Sequence, residues 1–261
     1  MSIPSTVTQL IDSSGNNFHA KVARWFHANG WHVVVSPYYM DQTQSKAREL
    51  DLVVEKLWPI RDMWGGPHGD VAVRLFVECK FIASEAVFWM APKNIAAAKA
   101  LVCRSSPFRE DKTYTDKHHY LATCPEVAKI FTSNNSKTQE NEPFYKALNQ
   151  ALNATVALRL QPPTHPSLAG RRRGTLVTLE YPVVVCSSFS QLYAVDFLEE
   201  SPATQVTENF QIEVQYAYLD KSGSSRDDYF LLDVVDFDQL PVYEDRVSKG
   251  AEAAAYLARR D

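Results

Sequence analysis

The 261-residue sequence contains no uncharged apolar run near the roughly 18 residues that a membrane-spanning helix needs. Its first residues, MSIPSTVTQLIDSSGNN, carry no basic region followed by an apolar block, so no secretory signal is expected there. The four cysteines, Cys79, Cys103, Cys124 and Cys186, are scattered and form no Cys-x-x-Cys pair. That pattern argues against a zinc ribbon or a disulfide framework and leads to the expectation of reduced thiols in a cytoplasmic protein. There is no glycine-rich phosphate loop and no Gly-x-Ser-x-Gly, which removes the P-loop nucleotidases and the serine hydrolases built on a nucleophile elbow. No internal repeat is visible. Basic residues are scarce between positions 195 and 245, where thirteen acids face only Lys221 and Arg226.

What is present is an ordinary globular composition, 45% hydrophobic and 22% charged, long enough for one large domain or two modest ones. The net charge of −4 is unevenly placed: residues 1–130 hold 15 Lys+Arg against 13 Asp+Glu, and residues 131–261 hold 12 against 18. The acidic stretch reads as a solvated surface, and a nucleic-acid partner would meet the first half of the chain. Phe18, Val22, Trp25 and Phe26 follow helical spacing, and Gly30 ends that helix. Strands are expected at WHVVVSPYY, closed by Pro37, at RELDLVVEK (48–56) and at VAVRLFVECKFI (71–82). A helical region opens near Ser84, with a second segment from Pro92 to about Leu101. HHYLATC (118–124) reads as a strand and PEVAKIFTS as a short helix. A helix over 143–160, four strands beyond it and an Ala-rich helix from about Tyr243 complete the expectation. The order at the front is helix, strand, strand, strand, helix, strand, which suggests an α/β sandwich with a mixed central sheet flanked by helices.

The run RLFVECKFIA places Glu78 and Lys80 inside an apolar strand. Residues two apart share a face of a strand, so Glu78 and Lys80 point the same way as Phe76 and Ile82. A charge removed from water needs a partner or a metal. A Glu–Lys pair at a sheet edge satisfies that demand, and so does a functional site. Asp51, on the preceding strand with Leu50, Leu52 and Val54 on the other face, can come beside Glu78 because neighbouring strands lie about 4.8 Å apart. Two carboxylates and a lysine then form a hard-cation site suited to Mg2+, which takes oxygen ligands and keeps waters.

RELDLVV followed by VECK resembles the PD-(D/E)xK nuclease superfamily, the restriction-endonuclease-like proteins, over roughly residues 15–125. The segment GNNFHAKVARWFHANGWHVVV resembles the helix and first strand of its bacterial restriction-type branch. The resemblance implies catalytic Asp51, Glu78 and Lys80. It also implies a metal, Mg2+ with Mn2+ as a substitute, held by Asp51, Glu78 and the backbone carbonyl of Cys79. It implies a DNA endonuclease of restriction or antiviral-defence type, with a nuclease-like core at 1–135 and a C-terminal α+β extension at 136–261 that either stands apart or belongs to the same domain. That extension is a candidate surface for a homodimer or a protein partner. Two positions depart from the family pattern. Leu50 precedes Asp51 where proline is frequent, and His19 stands where many members carry a glutamate on the first helix. The alternative reading is therefore a catalytically inactive subunit that binds nucleic acid or a protein.

Glu-x-Lys by itself is weak, since about 0.75 occurrences are expected by chance from 15 Glu and 13 Lys. A second occurrence, Glu110-Asp111-Lys112, lies in a polar segment. Glu49 shares the face of Asp51, and Glu49 and His19 are candidates for the edge of the site. Lys46, Arg48, Lys93 and the run Arg171-Arg172-Arg173 are candidates for phosphate contacts, with Lys99 beside them. Tyr38 and Tyr39 can stack on bases or simply pack. His118, His119 and Cys124 fit no zinc template and read as an exposed strand start.

Overall fold

The computed structural model describes residues 4–13, 15–104, 107–109, 113–133, 143–159, 161–168 and 174–259. Arg171, Arg172 and Arg173 and the second Glu-x-Lys, at 110–112, lie outside the described residues. The helices are α1 (Ser5–Ser13), α2 (Gly15–Ala28), α3 (Ile95–Cys103), α4 (His119–Ala122), α5 (Pro143–Leu158) and α6 (Leu240–Ala258). The strands are β1 (His32–Val35), β2 (Tyr38–Asp41), β3 (Lys46–Glu49), β4 (Leu52–Arg61), β5 (Pro67–Lys80), β6 (Ala86–Pro92), β7 (Glu126–Ser133), β8 (Thr175–Cys186), β9 (Leu192–Asp196), β10 (Thr204–Gln205), β11 (Phe210–Leu219) and β12 (Ser225–Asp236).

Ten strands form one mixed sheet in the order β1-β4-β5-β8-β12-β11-β7-β6-β9-β10, and β2 and β3 form a separate hairpin. β1, β4 and β5 are an antiparallel meander, whereas β8 runs parallel to β5 and β12 parallel to β8. The expected division at 135/136 does not interrupt this sheet, because β8 and β12 sit between β5 and the β6–β7 pair. β5 is buried almost throughout, from Asp70 to Glu78. A strand covered on both faces requires a continuous apolar run in place of alternation, and VAVRLFV supplies one.

One face packs against α2, α3 and α6, through Phe18, Val22, Val102, Tyr243 and Val247 set on Leu52, Val54, Leu75 and Val77. On the other face α5 lays Ala147, Leu148 and Ala151 on Val184, Leu232 and Val234. Ala154 and Leu158, one turn and two turns further along α5, meet Tyr39, Leu50, Val53 and Phe76. Leu50 thus packs with Val53, not with Leu52 as simple alternation predicts. The expected strand 48–56 is broken between β3 and β4, and the break at Leu50 and Asp51 turns Leu50 over.

Two further features fix the centre of the sheet. Pairing of β5 with β8 begins at Gly69 opposite Thr175. A Cβ on Gly69 would sit 2.0 Å from the Thr175 carbonyl oxygen, so only glycine allows the close approach. Arg74, almost fully buried, donates to Glu55 (3.0 Å), Glu180 (3.0 Å) and the carbonyls of Leu158 and Gln161 (3.1 and 2.9 Å). It thereby caps the C-terminal end of α5 and ties it to three strands.

The middle of the chain departs from expectation. Residues 86–92 form β6, not helix, because Ala86 and Phe88 are buried against β7 and β9. Helix α3 starts only after Asn94, whose side chain accepts from the Ala97 amide. PEVAKIFTS contains β7, paired along its length with β6, and HHYLATC contains the short helix α4. In residues 86–92 and 126–133 helical propensity yields to strand pairing. After β5 the chain therefore runs β6, α3, α4 and β7 before α5 and β8, in place of the expected single helical region and strand.

Candidate functional site

β4 and β5 pair in a register that sets Leu52 against Val77. Asp51 lies just outside this ladder, close enough to the end of β5 to bond the Cys79 amide and to act electrostatically on Glu78. Glu78 lies at the C-terminal end of β5, beside the end of β8, and is buried there.

The backbone of Asp51 is held from two sides. Its carbonyl accepts from the Ser36 amide (2.8 Å) and from His19 Nε2 (2.8 Å). A carbonyl can only accept, so this contact fixes the proton of His19 on Nε2. Across the strand gap, Asp51 Oδ2 accepts from the Cys79 amide (2.7 Å). His19 thus positions the aspartate through its backbone, a contact that its place on the helix did not reveal.

Glu78 is only 1% exposed. Its Oε2 lies 3.5 Å from Lys80 Nζ, and its Oε1 is buried without a hydrogen-bond partner among the described residues. Burial, and then the charge of Asp51, push its carboxyl up to about 8, while Lys80 opposes the rise. Burial also pushes the Cys79 thiol up, with Asp51 and Glu78 adding to it. Crowded acidic oxygens with one lone acceptor are what a divalent cation relieves. Two carboxylates and a carbonyl suffice for Mg2+, which keeps several waters. The donor set therefore fits such an ion. Among the described residues no group of three or more His, Cys, Asp or Glu converges on one point.

Glu49 stands on β3 opposite Tyr38, and its carboxyl is held low first by Ser36 and then by the Tyr38 hydroxyl, with His19 adding a smaller pull. The candidates for phosphate contacts are not brought together. Arg48 Nε is paired with Asp41 (2.8 Å) inside the β2–β3 hairpin and also bonds Gln44. Lys46 is exposed on β3, beside neither Glu78 nor Asp51 in the strand register. Lys93 is a correction: it is 5% exposed and donates to the carbonyls of Tyr120 (2.7 Å) and Thr123 (2.6 Å). Burial pushes its ammonium down, and it acts as a cap on the end of α4.

His118 and His119, expected at an exposed strand start, are both buried. His119 Nε2 meets Asp233 Oδ1 at 2.9 Å, and the Tyr243 hydroxyl and Gln211 amide donate to the same carboxylate (3.1 and 2.8 Å). His118 caps α4, its Nδ1 accepting from the Tyr120 amide (3.1 Å), and burial pushes it down to about 3. Tyr39 packs in the core while Tyr38 stays in solvent. A cavity of about 830 Å³ between α6 and residues 113–125 contains none of the predicted site residues. No helix among the described residues is long and apolar enough to cross a membrane. Comparison with protein-family models, with curated proteins and with solved structures gives no match.

Proposed function

We propose that the chain is a divalent-cation-dependent nuclease of the restriction-endonuclease-like kind, hydrolysing phosphodiester bonds of DNA as an endonuclease in restriction or defence. The observation that carries this reading is the nearness of Asp51 to Glu78 at the end of β5, with Lys80 beside Glu78 and one Glu78 oxygen buried without a partner among the described residues. The antiparallel β1-β4-β5 meander, with β8 parallel to β5 beside it and helices on both faces, is in keeping with that kind of fold. The reading places the chain in the cytoplasm, in keeping with its four free cysteines.

Asp51, Glu78 and the Cys79 carbonyl would hold Mg2+ or Mn2+. When bound, the ion supplies Lewis acidity toward the phosphate and a more acidic water. Lys80 does the remaining work of charge. Its ammonium reaches the site from a half-buried position, orients the attacking water and offsets the negative charge that builds on the phosphate oxygens. The water oxygen loses a proton to solvent and bonds to phosphorus, the P–O bond to the leaving sugar oxygen breaks, and that oxygen takes up a proton from solvent. His19, Ser36 and the Cys79 amide keep Asp51 in place while this happens. The test is Mg2+-dependent cleavage of plasmid and single-stranded substrates by the wild type and by Asp51→Ala. Cleavage confined to the wild type is expected; equal cleavage by both, or by neither across broad conditions, counts against the assignment.

One observation favours a second reading, a catalytically inactive subunit that binds nucleic acid or a protein partner. The first-helix position that could have added an acid is His19, and its ring is engaged with the Asp51 carbonyl. Calorimetric Mg2+ titration separates the two readings: an active site binds the ion and loses it in Glu78→Ala.

A further inference from the structure

β6 and β9 run parallel next to the β10 edge of the large sheet, with Trp89 opposite Val195 and Met90 opposite Asp196. Phe88 is buried in the core, so Trp89, the next residue, turns to the other face of β6, where it is half-buried. Just past β9 the chain makes a turn built on Asp196. The Phe197 amide donates to the Met90 carbonyl (2.8 Å). Asp196 Oδ1 accepts from the Leu198 and Glu199 amides (2.6 and 2.8 Å), and the Asp196 amide donates to Ser201 Oγ (2.9 Å). These bonds hold the turn with Phe197 46% and Leu198 70% exposed. Backbone tied down in this way presents both side chains outside the core, which lowers the ordering cost of binding on them. Trp89, Val195, Phe197 and Leu198 line one groove of about 390 Å³, and Asp196, Glu199 and Glu200 share that lining.

Exposed apolar side chains gathered in a groove with charge around them mark an interaction surface. Here the charge has one sign, and that decides between occupants. Three carboxylates repel a nucleic-acid backbone and an anionic lipid surface. A second copy docking through the same patch would set these acids against their own kind. A cationic protein segment meets neither obstacle. We propose that this groove docks a basic peptide segment of a partner protein, with large apolar side chains seated against Trp89, Phe197 and Leu198 and with Lys or Arg side chains meeting Glu199 and Glu200. Burial of the apolar anchors supplies most of the affinity, and the charges select the partner and speed its arrival. The proposal does not draw on the nuclease reading, and none of its residues belongs to the site of Asp51, Glu78 and Lys80.

The test is panning of a library of random linear peptides on the full chain, with depletion on the Phe197→Ser, Leu198→Ser double variant. The peptides that survive depletion are then measured by fluorescence anisotropy. Surviving sequences are expected to combine Lys or Arg with a large apolar residue and to carry net positive charge. Leu198→Ser should weaken such a peptide by about 10- to 150-fold. Glu199→Gln combined with Glu200→Gln should weaken it by about 2- to 20-fold at low salt and by less at high salt. Glu252→Gln, an acid outside the groove, should leave the affinity unchanged. Unchanged melting temperatures establish that the variants are folded, as expected for exposed side chains. No sequence surviving depletion, survival of acidic or uncharged sequences alone, or affinity indifferent to Leu198 or to the two glutamates overturns the proposal. Self-association of the chain that Leu198→Ser abolishes, with no peptide selected, assigns the surface to a second copy and overturns it as well. None of these outcomes uses a metal or a nucleic acid, so failure of the nuclease reading leaves them unchanged.

Discussion

Replacing Glu78 by glutamine removes a charge that the fold disfavours and the proposed chemistry requires. The Glu78 carboxyl is pushed from its ordinary 4.5 to about 8, first by burial and then by Asp51. Between those values the folded chain keeps a proton that the unfolded chain has released. Stability contributed by the protonated group is full below about pH 4.5 and is lost as pH rises through about 8. At about 1.4 kcal/mol per pH unit, the loss is at most about 5 kcal/mol. Glutamine cannot ionise, so Glu78→Gln should match the wild type near pH 5 and exceed it by about 2–4 kcal/mol at pH 9. In a chain of this size that is a gain of about 4–15 °C in melting temperature. The assay is thermal unfolding followed by circular dichroism in EDTA at pH 5, 7 and 9. Added Mg2+ should raise the wild type at pH 9, because an ion that binds only the folded state stabilises it, and should leave the variant unmoved. A glutamine variant that melts at or below the wild type at pH 9 without metal refutes the picture of Glu78 as a strained, ion-seeking carboxylate.

Arg74→Ala leaves Glu55 and Glu180 without their shared cation and should cost about 3–5 kcal/mol in urea denaturation, and adding Glu55→Gln should recover part of it. Burial holds His118 neutral, down to about 3, so the stability it contributes is present above about pH 6.5 and is lost as pH falls toward 3. His118→Asn, which keeps an acceptor for the Tyr120 amide, should flatten that acid limb in pH-dependent melting. Gly69→Ala drives a Cβ into the Thr175 backbone and should destabilise by about 3 kcal/mol, whereas Gly15→Ala, with open space around it, should change the melting temperature little.

The neighbourhood of the two acid-bearing segments was legible because strand alternation and hydrogen-bond register are local rules. β4 and β5, joined by a short connection, pair in register from Leu52 against Val77, and just beyond that pair the Cys79 amide donates to Asp51 Oδ2. The helices α2 and α5 and the strands β5, β8, β11 and β12 were visible for the same reason: their apolar periodicity is long enough to outweigh chance. What failed was short. Segments 86–92 and 126–133 carry eight residues or fewer, and pairing with one another and with β9 decided their state. Lys93 looked like a surface cation because its sequence neighbours do not disclose the two carbonyls waiting for it, one on Tyr120 and one on Thr123.

The sequence by itself determined which residues could carry chemistry: an apolar strand interrupted by Glu78 and Lys80, and an acid one strand earlier. Only the tertiary structure decided what surrounds them. It set His19 from α2 on the Asp51 carbonyl, buried Glu78 beneath Tyr39 and α5, withdrew Arg48 and Lys93 into other contacts, and left Tyr38 and Phe81 in water. Burial and long-range pairing depend on residues brought together from distant parts of the chain, and no window of sequence contains them.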